Sequence, residues 1–432
     1  MINNVDVKIE GGYDIELPKL VPIQQKFKAH KLENIPMAVD LEFSKEAVKK
    51  SIKPGSRIAI AVGSRGIVNL EEIVKQTVLN LKKLGAKPII IPAMGSHGGA
   101  TAEGQIKVIK EYGITEERIG APIVSSMETV KIAETEHGVP VYFDKNAYQS
   151  DGIIVINRIK PHTDFKGSFE SGLMKMLVIG LGKHKGASYI HNMGFKQFNT
   201  IIPEVGKQIL KKTNILFGMA ILENACDETA RLEAVPADTL FIREPELLKE
   251  AKSYMGYLIP RNFDVLLIEQ IGKDISGAGM DPNIVGRPGS GLPGFDGPSF
   301  QKLVVLDLTE KTKGNACGIG MADITTKSLV EKIDFTYLYT NSITSTVLDP
   351  AKLPIAMNTE KEALVIALWT SNMVKIPDAK VVFIKNTLEL SKILVSEPLL
   401  NDIKDKDIEV LGKEQAILFD ANGRLQLRPS QL

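Results

Sequence analysis

Apolar and polar residues alternate along the first half of the chain in a pattern that predicts strands followed by helices. Short apolar runs at residues 57–62 (RIAIAV) and 88–94 (PIIIPAM) predict buried strands, and each ends in a glycine-rich loop. The first loop leads into residues 70–84, where apolar positions recur at helical spacing. The second leads to Thr101, which is suited to cap the helix that follows it. Repeated strand, loop and helix units predict a parallel sheet covered by helices.

A third apolar run, at residues 151–160 (DGIIVINRIK), predicts another strand, and His162 follows it closely. Arg65 and His97 come after the first two strands in the same way. In open parallel sheets, ligands bind beyond the carboxyl ends of the strands. We therefore expect Arg65, His97 and His162 to converge on one site.

The second half of the chain repeats the pattern after a charged, helix-like stretch at residues 243–258, which we interpret as a connector. Apolar runs at residues 263–272, 302–308 (KLVVLDL) and 362–369 (EALVIALW) predict strands of a second α/β domain. The long loop at residues 272–297 is rich in Gly and Pro, and a loop of that length in a compact domain is usually functional or mobile.

These patterns predict an α/β fold in two domains with a boundary near residue 260. The N-terminal domain, residues 1–260, is expected to hold a mainly parallel sheet with helices on both faces. A smaller C-terminal α/β domain, residues 261–432, is expected to follow, with the active site in the cleft between the domains. A chain of 432 residues is too long for one ordinary core, which favours the same division.

Composition and charge narrow the class of protein. A net charge of +1 argues against a dedicated nucleic-acid binder, which would normally show a basic surplus. The two cysteines, Cys226 and Cys317, fit neither a disulfide framework nor a thiolate zinc site. No window approaches the roughly 18 unbroken apolar residues of a spanning helix, and the N-terminus does not read as a secretory signal. We expect a reduced, cytoplasmic protein that binds neither nucleic acid nor membrane, and its oligomeric state stays open.

Histidines are concentrated in two glycine-rich parts of the chain. His162, His184 and His191 are three of the six histidines and lie within one short segment, while His97 lies in the loop MGSHGG. Histidine is the side chain best suited to proton transfer near neutral pH and is the commonest metal ligand. This concentration predicts an active site.

The residues around these histidines suggest how an anion could be held. Glycines in the loop containing His97 let backbone amides approach a ligand, and the helix N-terminus after them favours an anion. Arg65 offers a planar fork that matches a carboxylate or phosphate. Lys175 lies in an apolar stretch, where it must be desolvated, paired or used covalently. Lys183 and Lys185 are interpreted as phosphate contacts or surface residues.

Taken in order, Arg65, His97, Pro161–His162, Lys175 and His191 resemble the nickel-dependent lactate racemase family. The resemblance covers most of residues 55–195, and the segment IGKDISGAGM is similar to a PKDI segment of the family. It implies an isomerase, a racemase or epimerase of a 2-hydroxy acid, that works by reversible hydride transfer. The implied cofactor is a nickel-pincer nucleotide, nickel pyridinium-3,5-bisthiocarboxylic acid mononucleotide, which a recombinant host need not supply.

The resemblance also implies residue roles and partners. Lys175 would carry the cofactor covalently and His191 would bind nickel, while His97 and His162 would form an acid/base pair. Arg65 would hold the substrate carboxylate. The further residues expected to bind the cofactor are Ser64, Gly95, Ser96, Gly98, Gly99 and Lys273. The expected partners are a small 2-hydroxy acid and, transiently, cofactor-maturation enzymes.

The chain departs from the family pattern at several positions. Val62 and Gly63 stand where an acidic residue is usual, and Glu170 lies where small residues are usual. Glycines and Met280 replace a Gln and a Lys of lactate racemases, so a larger 2-hydroxy acid, such as a sugar acid, is expected.

Two other functions fit the same residues. One is a metal-dependent hydrolase or lyase in which His97, His162 and His191 bind zinc. The other is a protein without catalytic activity that binds a nucleotide or sugar phosphate.

Overall fold

The computed structural model describes residues 3–28, 30–63, 66–403 and 405–432. The chain divides into two compact units. We call Ala29–Met255 the central unit, and Met1–Lys28 together with Gly256–Leu432 the terminal unit.

The strands in chain order are β1 (Leu20–Gln25), β2 (Arg57–Val62), β3 (Lys87–Pro92), β4 (Thr129–Glu134), β5 (Pro140–Asp144), β6 (Gly152–Arg158), β7 (Ile215–Glu223), β8 (Thr229–Pro236), β9 (Val265–Ile271), β10 (Lys302–Leu308), β11 (Ile324–Thr326), β12 (Ile355–Met357), β13 (Val381–Ile384), β14 (Lys392–Ser396) and β15 (Ile408–Val410). The α-helices are α1 (Ile35–Ser44), α2 (Glu46–Ser51), α3 (Leu70–Lys83), α4 (Ala102–Glu111), α5 (Glu116–Ile119), α6 (Lys145–Tyr148), α7 (Leu173–Lys175), α8 (Lys183–Asn192), α9 (Phe198–Lys212), α10 (Leu240–Tyr254), α11 (Pro282–Val285), α12 (Lys327–Glu331), α13 (Phe335–Ser345), α14 (Glu360–Trp369) and α15 (Glu397–Asp402). A π-helix spans Met176–Gly180, and short 3₁₀ turns span Gly98–Ala100, Phe195–Gln197, Glu310–Thr312, Ile319–Met321, Asp349–Ala351, Ile376–Asp378 and Pro429–Gln431.

The central unit is built on a sheet with the order β3-β2-β6-β7-β8. The first four strands are parallel and β8 is antiparallel to β7, which confirms the predicted mainly parallel sheet. Alternate residues of β7 face opposite sides. Phe217 and Met219 join the core beneath α1 and α3, whereas Leu173 of α7 packs on Gly218. Helices therefore cover both faces, as predicted.

The terminal unit contains a larger, mixed sheet with the order β12-β11-β10-β9-β13-β14-β1-β15. Strand β1 is antiparallel to both β14 and β15, and Leu20 is buried in this unit's core. The prediction that residues 1–260 form one domain therefore differs from the structure for residues 1–28. An almost wholly buried strand needs pairing partners on both sides, and these come from the far end of the chain.

One predicted strand is wrong. Residues 362–369 belong to helix α14, whose residues Ala363 to Leu368 are buried on every side. A helix that is apolar all round has no periodicity to distinguish it from a buried strand. The helix predicted at residues 243–258 is confirmed as far as Tyr254, as part of α10. This helix packs on β7 and β8 and buries Leu247 and Leu248, so it belongs to the central unit.

Within the ranges that the structure describes, no helix is both long enough and apolar enough to cross a bilayer.

Candidate functional site

Three strand ends of the central unit contact one segment, residues 172–192, which we call the crossing segment. At the end of β2, a Cβ added to Gly63 would lie 2.6 Å from Cε of Met176. In the loop after β3, the amide of Gly95 donates to the carbonyl of Gly180 over 3.2 Å. On β6, the side chain of Asn157 donates to the carbonyl of Gly172 over 2.9 Å. The crossing segment thus lies across the carboxyl edge of the sheet, where a ligand site is expected.

Lys175 and His162 are in direct contact within this region. The side-chain nitrogen Nζ of Lys175 contacts Nε2 of His162, and it lies 5.9 Å from the centre of the Phe165 ring. His162 is 8% exposed, and its Nδ1 accepts a hydrogen bond of 3.0 Å from the backbone amide of Asp164. The ring of His162 is thus held at Nδ1 by the backbone amide of Asp164, while its Nε2 faces Lys175.

His191 lies near this pair, toward the end of α8. Its ring centre is 5.9 Å from that of Phe195, whose ring is also 5.8 Å from that of His162. Burial lowers the pKa of His191, and the nearby positive charge of Lys175 adds to this effect. The Nδ1 of His191 lies 2.7 Å from the carbonyl of Ala187, which can only accept a hydrogen bond. The Nε2 atom of the neutral ring therefore carries a lone pair, as a metal ligand requires.

The loop that contains His97 is held against the same segment by its backbone. A Cβ on Gly95 would lie 3.2 Å from Cβ of Ala187, one helical turn before His191. The φ angles of Gly95, Gly98 and Gly99 lie between 59° and 66°, a conformation that favours glycine. The side chain of His97 is exposed. Thr101 caps α4 as predicted, by accepting from the amide of Gly104.

The predicted residues Ser64 and Arg65 lie outside the described residues. The residues on either side of them, Gly63 and Val68, contact other segments of the central unit. Gly63 packs on Met176, and the amide of Val68 donates to Glu223 over 2.8 Å. Glu223 also forms an ion pair with Arg158, at the end of β6. The loop after β2 therefore begins and ends at the carboxyl edge of the sheet.

Glu170 binds several groups in and around the loop that carries His162. Its carboxylate is fully buried and accepts a hydrogen bond of 2.7 Å from the backbone amide of His162. It also forms ion pairs with Lys252, at 2.7 Å, and with Lys166, at 3.3 Å. The sequence showed Glu170 only as a departure from the family pattern.

Glu244 was missed by the sequence analysis. Its carboxylate accepts a hydrogen bond of 2.9 Å from the amide of Met174, at the start of the helix that carries Lys175. Complete burial raises the pKa of Glu244 to about 8, against the opposing effect of the amides of Met174 and Leu173. Glu244 lies in a helix with an ordinary mixture of charged residues, so no sequence signal distinguished it.

Lys183 is neither a phosphate contact nor a surface residue, as the sequence analysis had interpreted it. It has no solvent exposure, and its ammonium lies 3.4 Å from the equally buried carboxylate of Asp144. Burial lowers the pKa of Lys183 and raises the pKa of Asp144, while the attraction between the two opposes both shifts.

Lys273, which was predicted to bind cofactor, belongs to the terminal unit and follows β9. Its ammonium donates to the carbonyl of Gly277 over 2.6 Å, and its backbone amide donates to Thr312 over 3.1 Å.

The zinc alternative requires a cluster of protein ligands. Among the residues that the structure describes, no group of three or more His, Cys, Asp or Glu side chains could hold a metal ion. His97, His162 and His191 therefore do not form a zinc site made by the protein alone. A metal that takes one imidazole from the protein and its other donors from a cofactor needs only one such ligand, and His191 fits that requirement.

Comparison with known proteins gives two matches. Residues 6–201 match the sequence profile of the lactate racemase N-terminal domain. The solved structure of the lactate racemase apoprotein from Thermoanaerobacterium thermosaccharolyticum is similar over 86% of this chain and 99% of its own, with a TM-score of 0.50. The sequence identity is 12%, so this second match concerns the fold alone. Among curated protein sequences, none matches the chain.

Proposed function

The chain belongs to the lactate racemase family through residues 6–201, and we propose that it is a racemase or epimerase of a 2-hydroxy acid. The proposed reaction is reversible hydride transfer to a nickel-pincer nucleotide. The observation that carries the proposal is the contact of Lys175 with His162. His191 completes the group, because its ring and that of His162 both lie beside Phe195. These three side chains are the ones that the resemblance assigns to cofactor attachment, acid/base catalysis and nickel binding.

When bound, the nucleotide supplies a hydride acceptor and a nickel ion held by sulfur and carbon. Lys175 would hold the nucleotide covalently, and His191 would bind nickel through Nε2. Imidazole beside soft sulfur donors is a ligand set that suits nickel. The hydrogen bond from Nδ1 of His191 to Ala187 would fix the ring for this task.

Proton transfer would be divided between two histidines. His162, whose Nε2 faces Lys175, would exchange a proton with the substrate hydroxyl on one face. His97, in its exposed loop, would serve the other face. Arg65 would hold the substrate carboxylate, and backbone amides at Gly95 to Gly99, together with Ser64 and Ser96, would receive the nucleotide. The cofactor contact expected of Lys273 stays a prediction. Glycines near Lys273 in place of larger residues favour a substrate larger than lactate, such as a sugar acid.

The first test is the intact mass of the protein purified from its native host. We expect a covalent adduct that Lys175→Ala abolishes. Lys185→Ala is the matched control, because Lys185 is an exposed lysine on the neighbouring helix α8. An unmodified Lys175 in active protein would overturn the tether assignment.

The second test is metal content. His191→Ala should lose nickel and keep the adduct, whereas His184→Ala, an exposed histidine of the same helix, should keep both. Equal nickel content in the two variants would exclude His191 as the ligand.

The third test distinguishes hydride transfer from a carbanion route. Turnover in deuterium oxide should leave the substrate carbon largely unlabelled, because the hydride returns the substrate's own hydrogen. Rapid deuterium incorporation at C2 would reject hydride transfer. His97→Ala and His162→Ala should each lose roughly 100- to 10,000-fold in turnover, the usual contribution of general acid–base catalysis.

A further inference from the structure

The buried ammonium of Lys183 joins three separate segments of the central unit. It donates to the carbonyl of Pro92, at the end of β3, over 2.6 Å, and to Oε1 of Gln105, on α4, over 2.9 Å. Its third neighbour is the carboxylate of Asp144, at the end of β5, at 3.4 Å. The first two contacts are hydrogen bonds, whereas the third is an ion pair, since Oδ2 of Asp144 has no hydrogen-bond partner among the described residues.

This arrangement fixes the orientation of the Gln105 side chain. Gln105 has no solvent exposure, and only its oxygen can accept a hydrogen bond from Lys183. The amide nitrogen must therefore point the other way. It donates to the carbonyl of Gly95 over 3.0 Å and to the carbonyl of His97 over 3.3 Å.

The loop that receives these two hydrogen bonds is rich in glycine. Three of its residues are glycines with positive φ, and glycine loses more conformational freedom than any other residue when a loop becomes ordered. Gly98 lies so close to α4 that a Cβ there would be 2.6 Å from the backbone nitrogen of Gln105. The order of the loop thus depends on its contacts with α4 and with the crossing segment.

We propose that Lys183 and Gln105 are positioning residues for His97. The buried charge of Lys183 orients the Gln105 amide, and the amide holds the loop at the two carbonyls that flank Ser96. Lys183 is also the first residue of α8, so the same ammonium connects the His97 loop to the helix that carries His191. The catalytic meaning of this arrangement rests on the proposed function, whereas its effect on the loop does not.

The test is the substitution Gln105→Glu. It keeps the contact of residue 105 with Lys183 and removes the hydrogen bonds from residue 105 to the His97 loop. A carboxylate at this position still accepts from Lys183, so the buried pair keeps its partner. It has no N–H to give to Gly95 and His97, and it places a negative charge beside their carbonyls. Gln208→Glu, on α9, is the control for the same change of charge in the same unit.

The first readout is hydrogen exchange in protein without cofactor. The amides of Gly95, His97 and Ala100 are hydrogen-bonded in the loop. In Gln105→Glu their exchange should accelerate roughly tenfold or more, since two hydrogen bonds to the loop are lost. Amides of β2 and β6 should exchange as in the wild type. The imidazole NMR signal of His97 should shift in the same variant, while those of His162 and His191 stay in place.

The second readout is turnover by protein that carries the adduct on Lys175. Gln105→Glu should lower turnover and leave the adduct in place, because no contact of Lys175 is altered. Should Gln105→Glu fail to fold, Gln105→Met removes the amide at similar volume and is judged by the same measurements.

Two results would overturn the proposal. One is unchanged loop exchange and an unchanged His97 signal in a folded variant. The other is accelerated exchange with wild-type turnover, which would show that the loop order is irrelevant to His97. If the proposed function is wrong, the wild type should lack the adduct or the nickel. That result would not affect the hydrogen-exchange measurement, which is made on protein without cofactor.

Discussion

Removal of the Lys183 charge should leave Asp144 as an uncompensated buried carboxylate. Both side chains are fully buried, and they face each other at 3.4 Å. Breaking such a pair by removing one partner typically costs about 3–5 kcal/mol. Domains are stable by only about 5–15 kcal/mol, so Lys183→Met should strongly destabilise the central unit. Asp144→Asn is the compensating change, because asparagine can still cap α6 by accepting from the amide of Ala147, a bond of 2.8 Å in the wild type.

The assay is a double-mutant cycle measured by urea unfolding. Trp369, the only tryptophan, lies in the terminal unit, so circular dichroism and hydrogen exchange of β2 and β6 are the suitable probes of the central unit. The double variant Lys183→Met/Asp144→Asn should be more stable than the sum of the single effects by about 0.5–3 kcal/mol. Strictly additive effects would refute a coupled ion pair.

The same pair makes a prediction about pH. Burial raises the pKa of Asp144 above its unfolded value of 3.8, and in Lys183→Met no cation opposes this shift. The folded variant then binds more protons than the unfolded chain, so its stability falls as pH rises through the folded pKa. The deficit of Lys183→Met relative to the wild type should shrink as pH is lowered from 8 toward 4. A deficit that is constant across this range would contradict the assignment of the cost to the Asp144 charge.

Three further outcomes follow from other buried or capping groups. Because burial raises the pKa of Glu244 from 4.5 to about 8, the chain takes up a proton when it folds between these two pH values. The free energy of unfolding should therefore fall by up to about 1.4 kcal/mol for each pH unit as pH rises. Glu244→Gln should remove this slope in thermal unfolding measured at several pH values. Glu170→Gln should leave Lys252 and Lys166 without their carboxylate and speed amide exchange at His162, and unchanged exchange there would show that Glu170 does not order the loop. Thr101→Ala should cost about 1 kcal/mol in urea unfolding by loss of the α4 cap, whereas Thr101→Ser should keep most of it.

Much of the site follows from local sequence pattern. Apolar runs located β2, β3 and β6, and glycine-rich loops marked the ends of the first two. Ligands bind at the carboxyl ends of parallel strands, which favoured the loops after these strands as the site. The structure brings His162, Lys175 and His191 together, a grouping that the family resemblance suggested and the strand rule did not. That Arg65, His97 and His162 share one site stays a prediction. The roles of Ser64 and Arg65 stay predictions, as these two residues lie outside the described part of the chain.

The sequence by itself determined the central sheet, its helices and the histidine-bearing loops, because strand and helix periodicity are local and glycine marks the turns. Only the tertiary structure decided which partners meet across long sequence separations. The pairing of β1 with β14, the burial of Lys183 beside Asp144 and the capping of α7 by Glu244 all depend on where distant segments pack. A lysine or glutamate looks the same in sequence whether it is solvated or buried, since its state is set by neighbours that the local pattern does not specify.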